Sequence, residues 1–223
     1  MRAELSVVIP TLNAEAGLPA CLASLMEGVE AGLIRELVIS DGGSDDATLQ
    51  IADDVGALMV QGAASRGGQL RRGVAQTQGT WVLVIHSDCT LPQGWSDAVT
   101  AQMQTGNPAY FQLRFDARGL APALVAAWAN FRARFLGLPY GDQGLLIAQA
   151  EYEAIGGYPD QPLMEDVAIA RVLRGRLKRL PLAITTNADK YQRDGWVRRG
   201  GRNLTLLIRY LLGADPHKLV RRY

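Results

Sequence analysis

Three clusters of polar residues in this 223-residue chain have the types and spacing to do chemistry. In the first, the apolar run Trp81 to Ile85 ends at once in His86, Ser87 and Asp88. A hard cation such as Mg2+ or Mn2+ takes oxygen ligands, keeps several waters, and adds one or two carboxylates and substrate phosphates. Asp88 offers such a carboxylate. In extended chain His86 leaves from the same face, placed to ligate Mn2+ or to hydrogen-bond a phosphate. Taken alone, Asp88 fits a turn better than a metal site, since turn Asp residues are common.

The second cluster is Asp41 in "SDGGSDD". A carboxylate after a strand accepts hydrogen bonds from a base or a ribose. The same residues also fit a Gly-rich turn leading to a helix, with Ser44 as its N-cap and Asp45 and Asp46 in the first turn. The third is Glu165 and Asp166 in "LMEDVAIARVL". An acid here can act as a general base on an acceptor hydroxyl, with Met164 and Val167 as apolar surround. The alternative is a pair of acids stabilised by the helix dipole. Two weaker candidates stand in the second half. Asp142 and Gln143 in "PYGDQGLLIAQ" are suited to hydrogen-bonding a ligand or to a turn. Trp196 is suited to stacking on a ligand or to packing on the core.

The elements that must position these groups are legible as apolar runs. Leu5 to Ile9, Leu37 to Ile39, Ala57 to Val60 and Trp81 to Ile85 read as short strands. Between them, a helix carrying Leu18, Leu22, Leu25, Met26 and Val29, a helix with Ala47, Ile51 and Val55, and a helix over 69–77 are expected. Strands alternating with helices predict a parallel sheet with right-handed crossovers, and continuous apolar strands suit one covered on both faces. Thr11 and Asn13, Asp41, and His86 with Asp88 then stand at three carboxyl ends, where open α/β sheets bind ligands. Further on, helices are expected over 95–105 and 165–174, and strands over 110–115, 144–148 and 180–186. One domain spanning 1–223 is the simplest organisation.

Bulk properties narrow the class. The chain is 48% hydrophobic and 20% charged with net charge +1, so no global field draws it to nucleic acid. Cys21 and Cys89 lack metal-ligand spacing and make no disulfide framework, which points to a reducing compartment. No secretory leader is recognisable, and no run of about 18 apolar residues offers a membrane span. A cytoplasmic protein is expected. The basic, apolar stretches 121–138 and 196–222 have the composition of a surface touching a membrane from that side. Core helices with snorkelling Arg residues account for the same pattern. Dinucleotide, P-loop and nucleophile-elbow fingerprints are absent.

"SVVIPTLNAEAGLPACLASL", "ELVISDGGSDDAT", "GTWVLVIHSDCTLP" and "MEDVAIARVLRGR" occur in that order between Ser6 and Arg176. Together they resemble the motifs of family 2 glycosyltransferases with the GT-A fold, especially a small bacterial subgroup. The resemblance implies an α/β GT-A architecture, a mostly parallel central sheet flanked by helices. About 1–92 would form the nucleotide-binding half and about 93–223 the acceptor half. It implies inverting, metal-assisted transfer of a sugar from a UDP- or GDP-type donor to an acceptor hydroxyl, with Mn2+ or Mg2+ as cofactor. Pro10, Thr11, Asn13 and Glu15 would line the nucleotide pocket, Asp41 would hold the base and Arg66 would face the diphosphate. Ser87 and Asp88 would meet the donor, with Asp88 and His86 at the metal. Asp166 would be the catalytic base, with Glu165, Asp142, Gln143 and Trp196 toward the acceptor.

His86 stands where many members carry an acid, so the metal would lean on one carboxylate. "YQRDGW" matches the Q-x-x-R-W motif of processive synthases only loosely, and non-processive transfer is expected. A nucleotidyltransferase would want a Gly-rich loop with Arg or Lys after the first strand, where this chain has Thr-Leu-Asn-Ala-Glu. A nucleotide-sugar-binding protein without turnover is the other alternative.

Overall fold

The computed structural model describes residues 3–220. β1 (Leu5–Thr11) is followed by α1 (Leu18–Ser24), α2 (Met26–Glu30), β2 (Ile34–Asp41), α3 (Thr48–Asp54), β3 (Leu58–Gln61), α4 (Arg66–Val74) and β4 (Trp81–Val84). Then come β5 (Cys89–Thr90), α5 (Trp95–Gln104), β6 (Ala109–Phe115), α6 (Leu120–Leu136) and a 3-10 turn at Gly141–Gln143. β7 (Leu145–Ala148), α7 (Gln149–Ala154), α8 (Glu165–Val172), β8 (Lys178–Thr186), α9 (Asp189–Asp194), α10 (Trp196–Leu211) and α11 (Pro216–Val220) complete the chain.

The strands form one eight-stranded sheet in the order β3-β2-β1-β4-β7-β6-β8-β5. β1 pairs in parallel with β2 and β4, β2 with β3, and β6 with β8. β7 is antiparallel to β4 and β6, and β5 to β8. The strand order therefore reverses between β1 and β4. That reversal opens a crevice at their carboxyl ends, the place where such sheets hold ligands.

Successive residues of a strand face opposite sides, and both sides here are covered. Val7, Ile9, Leu83 and Ile85 pack with Leu18, Leu22 and Trp95 on one face. Val8, Val38, Val82 and Val84 pack with Leu70, Val74 and Ile169 on the other. Helix α4 lies very close to the sheet, because a β-carbon on Gly73 would come within 2.6 Å of Val8 Cγ1. A third cluster joins Leu163, Met164, Val167 and Ala170 to Leu206 and Leu207 of α10.

Several local expectations need correction. The helix expected from Leu18 to Val29 is two, divided at Leu25. Ser44 is not an N-cap. Helix α3 begins at Thr48 after Ala47, and the Ser44 hydroxyl instead donates to Asp41 at 2.6 Å. Stretch 121–138 is mostly one long helix, α6, but its arginines do not both snorkel. Arg134 is exposed, whereas Arg132 is buried, with its guanidinium 3.3 Å from the centre of the Tyr140 ring. Among the described residues no helix is long and apolar enough to cross a membrane. Cys21 and Cys89 are free and buried. Burial pushes the Cys21 thiol up to about 12 and that of Cys89 well above its ordinary value, so both are held as neutral thiols.

Candidate functional site

The loops after β1 and β2 are tied together at the crevice. Thr11 donates to Asp41 at 2.8 Å, and Asn13 Oδ1 accepts from the Asp45 amide at 2.9 Å. Glu15 Oε2 accepts from the Ala47 amide at 3.0 Å. Asp41 is fully buried. Its oxygens also accept from the amides of Gly43 and Ser44. Burial raises the Asp41 pKa, but the hydrogen bonds from Ser44, Thr11 and Gly43 outweigh it and hold the carboxyl below its ordinary value. In this conformation Asp41 therefore shapes the loop that carries Asn13 and Glu15, and it presents no oxygen to solvent. Pro10 sits in β1 just before that loop, half-buried.

A cleft runs from the end of β4 across to α6, α8 and α10. Its polar lining includes Arg66, His86, Asp88, Asp142, Asp166 and Lys190. The chain positions these groups by different means. Arg66 opens α4, whose first turn is capped by Ser65. Asp88 follows β4, and Lys190 of α9 reaches Asp88 Oδ2 at 3.7 Å. His86 lies against Gly141, where a β-carbon would run into imidazole Nε2. Burial lowers the His86 pKa, against the pull of the Asp88 carboxylate. The ring is thus held neutral, the form that can ligate a metal.

Asp166 opens α8. Its Oδ2 accepts from the Gly141 amide at 2.8 Å and its Oδ1 from the Val167 amide at 2.7 Å. Met164, the residue before the Glu-Asp pair, has φ 64°. A left-handed non-glycine is costly and needs a surrounding that enforces it. Among the described residues, Asn13 (φ 49°) is the one other non-glycine with positive φ. Both sit beside residues singled out in the sequence.

Two buried carboxyls accompany Asp166. Burial pushes Asp142 up to about 6, with Arg132 opposing and Asp166 adding to the shift. Asp142 Oδ1 is buried without a hydrogen-bond partner. Glu165 is almost wholly buried with Oε2 unpartnered, and burial, reinforced by the neighbouring Asp166, pushes it up to about 8. It holds a proton at neutral pH.

Not all expected residues reach the cleft. Glu165 lies beneath it. Gln143 is fully buried, and its Nε2 donates to Phe111 O at 3.2 Å, so it serves the core rather than an acceptor. Trp196 packs edge-on to Phe115 at 5.0 Å and stacks on Tyr191 at 4.9 Å. It supports the cleft wall, whereas Phe115 and Tyr191 line it. Ser87 lies outside the lining, its carbonyl close to Gly17. Lys190, Arg132 and Tyr140 were missed in the sequence, although a charge set in an apolar helix was a visible signal for Arg132.

Beside this cleft, and sharing Arg66, Lys190 and Arg199 with it, a second cleft is lined by five arginines, Lys190 and Asp194. Among the described residues no three His, Cys, Asp or Glu side chains gather as a metal cage. A hard cation that takes waters and substrate phosphates needs only one or two protein ligands. Asp88, partly exposed, with the neutral His86 beside it, meets that requirement.

Residues 6–137 match the family described as Glycosyl transferase family 2. The PGL/p-HBAD biosynthesis glycosyltransferase of Mycobacterium bovis (strain BCG / Pasteur 1173P2) is 40% identical over 93 residues, covering 39% of this chain. A protein of the same name from Mycobacterium tuberculosis (strain ATCC 25177 / H37Ra) matches equally. The match spans only 36% of the length of each of these relatives. Among solved structures, S. aureus TarS 1-349 superposes with TM-score 0.66 at 19% identity, over 95% of this chain and 66% of that one. TarS 1-349 has also been crystallised with UDP-GlcNAc, and that structure gives TM-score 0.64 at 17% identity, over 82% of this chain and 58% of the other. Glucosyl-3-phosphoglycerate synthase from Mycobacterium tuberculosis, crystallised with Mn2+, UDP and phosphoglyceric acid, gives TM-score 0.59 at 20% identity, over 90% and 77%. At these identities the structural likeness speaks for the fold.

Proposed function

We propose that this chain, which belongs to glycosyl transferase family 2, moves a glycosyl unit from a nucleoside diphosphate sugar to an acceptor hydroxyl, with inversion and one unit at a time. The observation that carries this reading is the convergence of Asp88 and Asp166 on one cleft beyond the carboxyl end of β4. The likeness to proteins crystallised with UDP, UDP-GlcNAc and Mn2+ supports a UDP-type donor and a divalent cation.

Asp88 and His86 would hold Mn2+ or Mg2+ together with the donor's phosphates. Such an ion, when bound, neutralises the charge that builds on the leaving diphosphate. Arg66 and Lys190 line the same cleft and add positive charge toward the diphosphate. The loop of Pro10, Thr11, Asn13 and Glu15, braced from behind by Asp41, forms the nucleotide side of the crevice. Asp166 accepts the proton of the acceptor hydroxyl as that oxygen attacks the anomeric carbon. The amides of Gly141 and Val167 fix its orientation. Asp142, with an unpartnered oxygen, is placed to take a hydrogen bond from a sugar or acceptor hydroxyl. Direct attack needs no covalent intermediate and gives inversion. We read the domain as one unit, since strands from both halves enter the same sheet.

A thermal-shift screen of UDP, GDP and the other nucleoside diphosphates, with and without Mn2+, tests the nucleotide and the metal together. A shift with one diphosphate that grows with Mn2+ is expected. Inversion is read from the anomeric configuration of the product by NMR. A panel in which no diphosphate shifts the protein, with or without Mn2+, would remove the nucleotide-sugar reading.

A further inference from the structure

Helix α6 is amphipathic in the wrong sense for a core helix. Leu120, Leu124, Phe131 and Phe135, with Trp128 between them, repeat at helical spacing on its outer face, and they are exposed by 84%, 70%, 49% and 60% for the first four. Trp128 stacks on Phe131 at 5.9 Å and Phe131 meets Phe135 at 4.8 Å with the rings tilted by 39°, so the aromatics form a continuous ridge. Helix α10, packed against α6, repeats the arrangement. Leu206 and Leu207 face inward onto α8, while Val197, Leu204, Ile208 and Leu211 are exposed.

An apolar face of this extent is not ordinary for a free surface. The charge around it identifies what covers it. From Ala117 to Gly141 and from Gly195 to Ala214 there is no acidic residue, while the exposed Arg118, Arg134, Arg198 and Arg209 fall there. Exposed Arg134 and Arg209 stand on the two helices beside the apolar stripes. An apolar stripe flanked by arginine suits an anionic lipid surface, where the apolar side chains enter the interface and the cations meet headgroups. A second copy of the chain would bring like charges together.

The face is also joined to the site. Trp128 and Leu204 belong to the exposed stripes and line the cleft that holds Asp166. Phe115, Val125, Leu163 and Met164 continue the apolar lining inward. We infer that the outer faces of α6 and α10 dock on an anionic bilayer, so that the cleft opens onto the membrane and takes a lipid-anchored acceptor hydroxyl. The docking stands on the surface alone, and the acceptor class rests on the glycosyltransferase reading.

Co-sedimentation with phosphatidylcholine vesicles, and with vesicles of phosphatidylcholine mixed with phosphatidylglycerol, tests the docking. Wild type is expected to bind the mixed vesicles, to release them as salt rises, and to bind roughly ten-fold less tightly as Leu124→Glu/Phe131→Glu. Arg134→Glu/Arg209→Glu supplies a second variant that leaves the apolar face intact, and it should lose the preference for the anionic vesicles. Brominated acyl chains should quench tryptophan fluorescence, and Trp128→Phe should remove most of that quenching, placing the mouth of the cleft in the bilayer. The diphosphate-induced thermal shift is followed in the same samples. Its retention in the Leu124→Glu/Phe131→Glu variant separates docking from nucleotide binding, and its absence in wild type would count against the transferase reading alone. Equal binding of wild type and both variants, quenching unchanged by Trp128→Phe, or a concentration-dependent dimer lost in Leu124→Glu/Phe131→Glu without vesicle binding would overturn the proposal.

Discussion

The Gly141 amide donates to Asp166 Oδ2 at 2.8 Å, and this bond links the 3-10 turn on one side of the cleft to the start of α8 on the other. The proposed base is thus held by backbone from outside its own helix. Asp166→Asn keeps an oxygen to accept that bond but cannot take a proton at neutral pH. Donor turnover should fall by about 10²–10⁴-fold, with the donor KM nearly unchanged and the melting temperature lowered only by loss of the Val167 amide contact. Steady-state kinetics beside a thermal melt check this. A rise in KM with kcat preserved would make Asp166 a binding residue.

The metal side turns on Asp88. Asp88→Ala should abolish the extra stabilisation that Mn2+ gives with a nucleoside diphosphate, and leave the protein folded, because the side chain is partly exposed and paired with Lys190 at only 3.7 Å. Thermal shifts with and without Mn2+ measure it. A Mn2+ response that survives the substitution would place the cation elsewhere.

Gly141 also makes room for His86. Its backbone is not in the left-handed region, so Gly141→Ala acts through the collision of the new β-carbon with the imidazole. The variant should melt lower and turn over donor more slowly. In a His86→Ala background the same change should cost little stability, which a double-mutant cycle reads directly.

Glu165 carries the pH prediction. Its carboxyl is raised from the ordinary range to about 8 by burial and by Asp166. The unfolded chain therefore ionises this group first as pH rises. Its contribution to stability is largest at acid pH and is lost progressively up to about pH 8. Glu165→Gln removes that loss, so the variant should gain melting temperature relative to wild type as pH rises from 5 to about 8. Parallel pH–melting curves would contradict the assignment.

The first half of the fold was legible in the sequence because β1, β2 and β4 carry short apolar runs (7–9, 37–39 and 81–84) followed closely by polar residues. The second half was harder to read. The two-residue strand β5 has no periodicity to detect, and α6 turns its apolar side outward, which inverts the usual meaning of an apolar stripe. Asp88 and Asp166 stood out after a strand and at a helix start, but position alone fitted a turn or a helix dipole as well, and the motif resemblance singled them out; the fold brings both to one cleft. Gln143 and Trp196 were misplaced because polar and aromatic side chains serve a core as readily as a sugar. Lys190 gave no signal at all, since its partner Asp88 is distant in the chain and only the fold brings them together.

The most direct test of the account is release of nucleoside diphosphate from a panel of UDP- and GDP-sugars with Mn2+ present. Wild type should release diphosphate from at least one donor, Asp88→Ala should release none above background, and Asp166→Asn should bind that donor yet turn it over far more slowly. Equal release by wild type and both variants, or neither binding nor turnover with any donor, would contradict it.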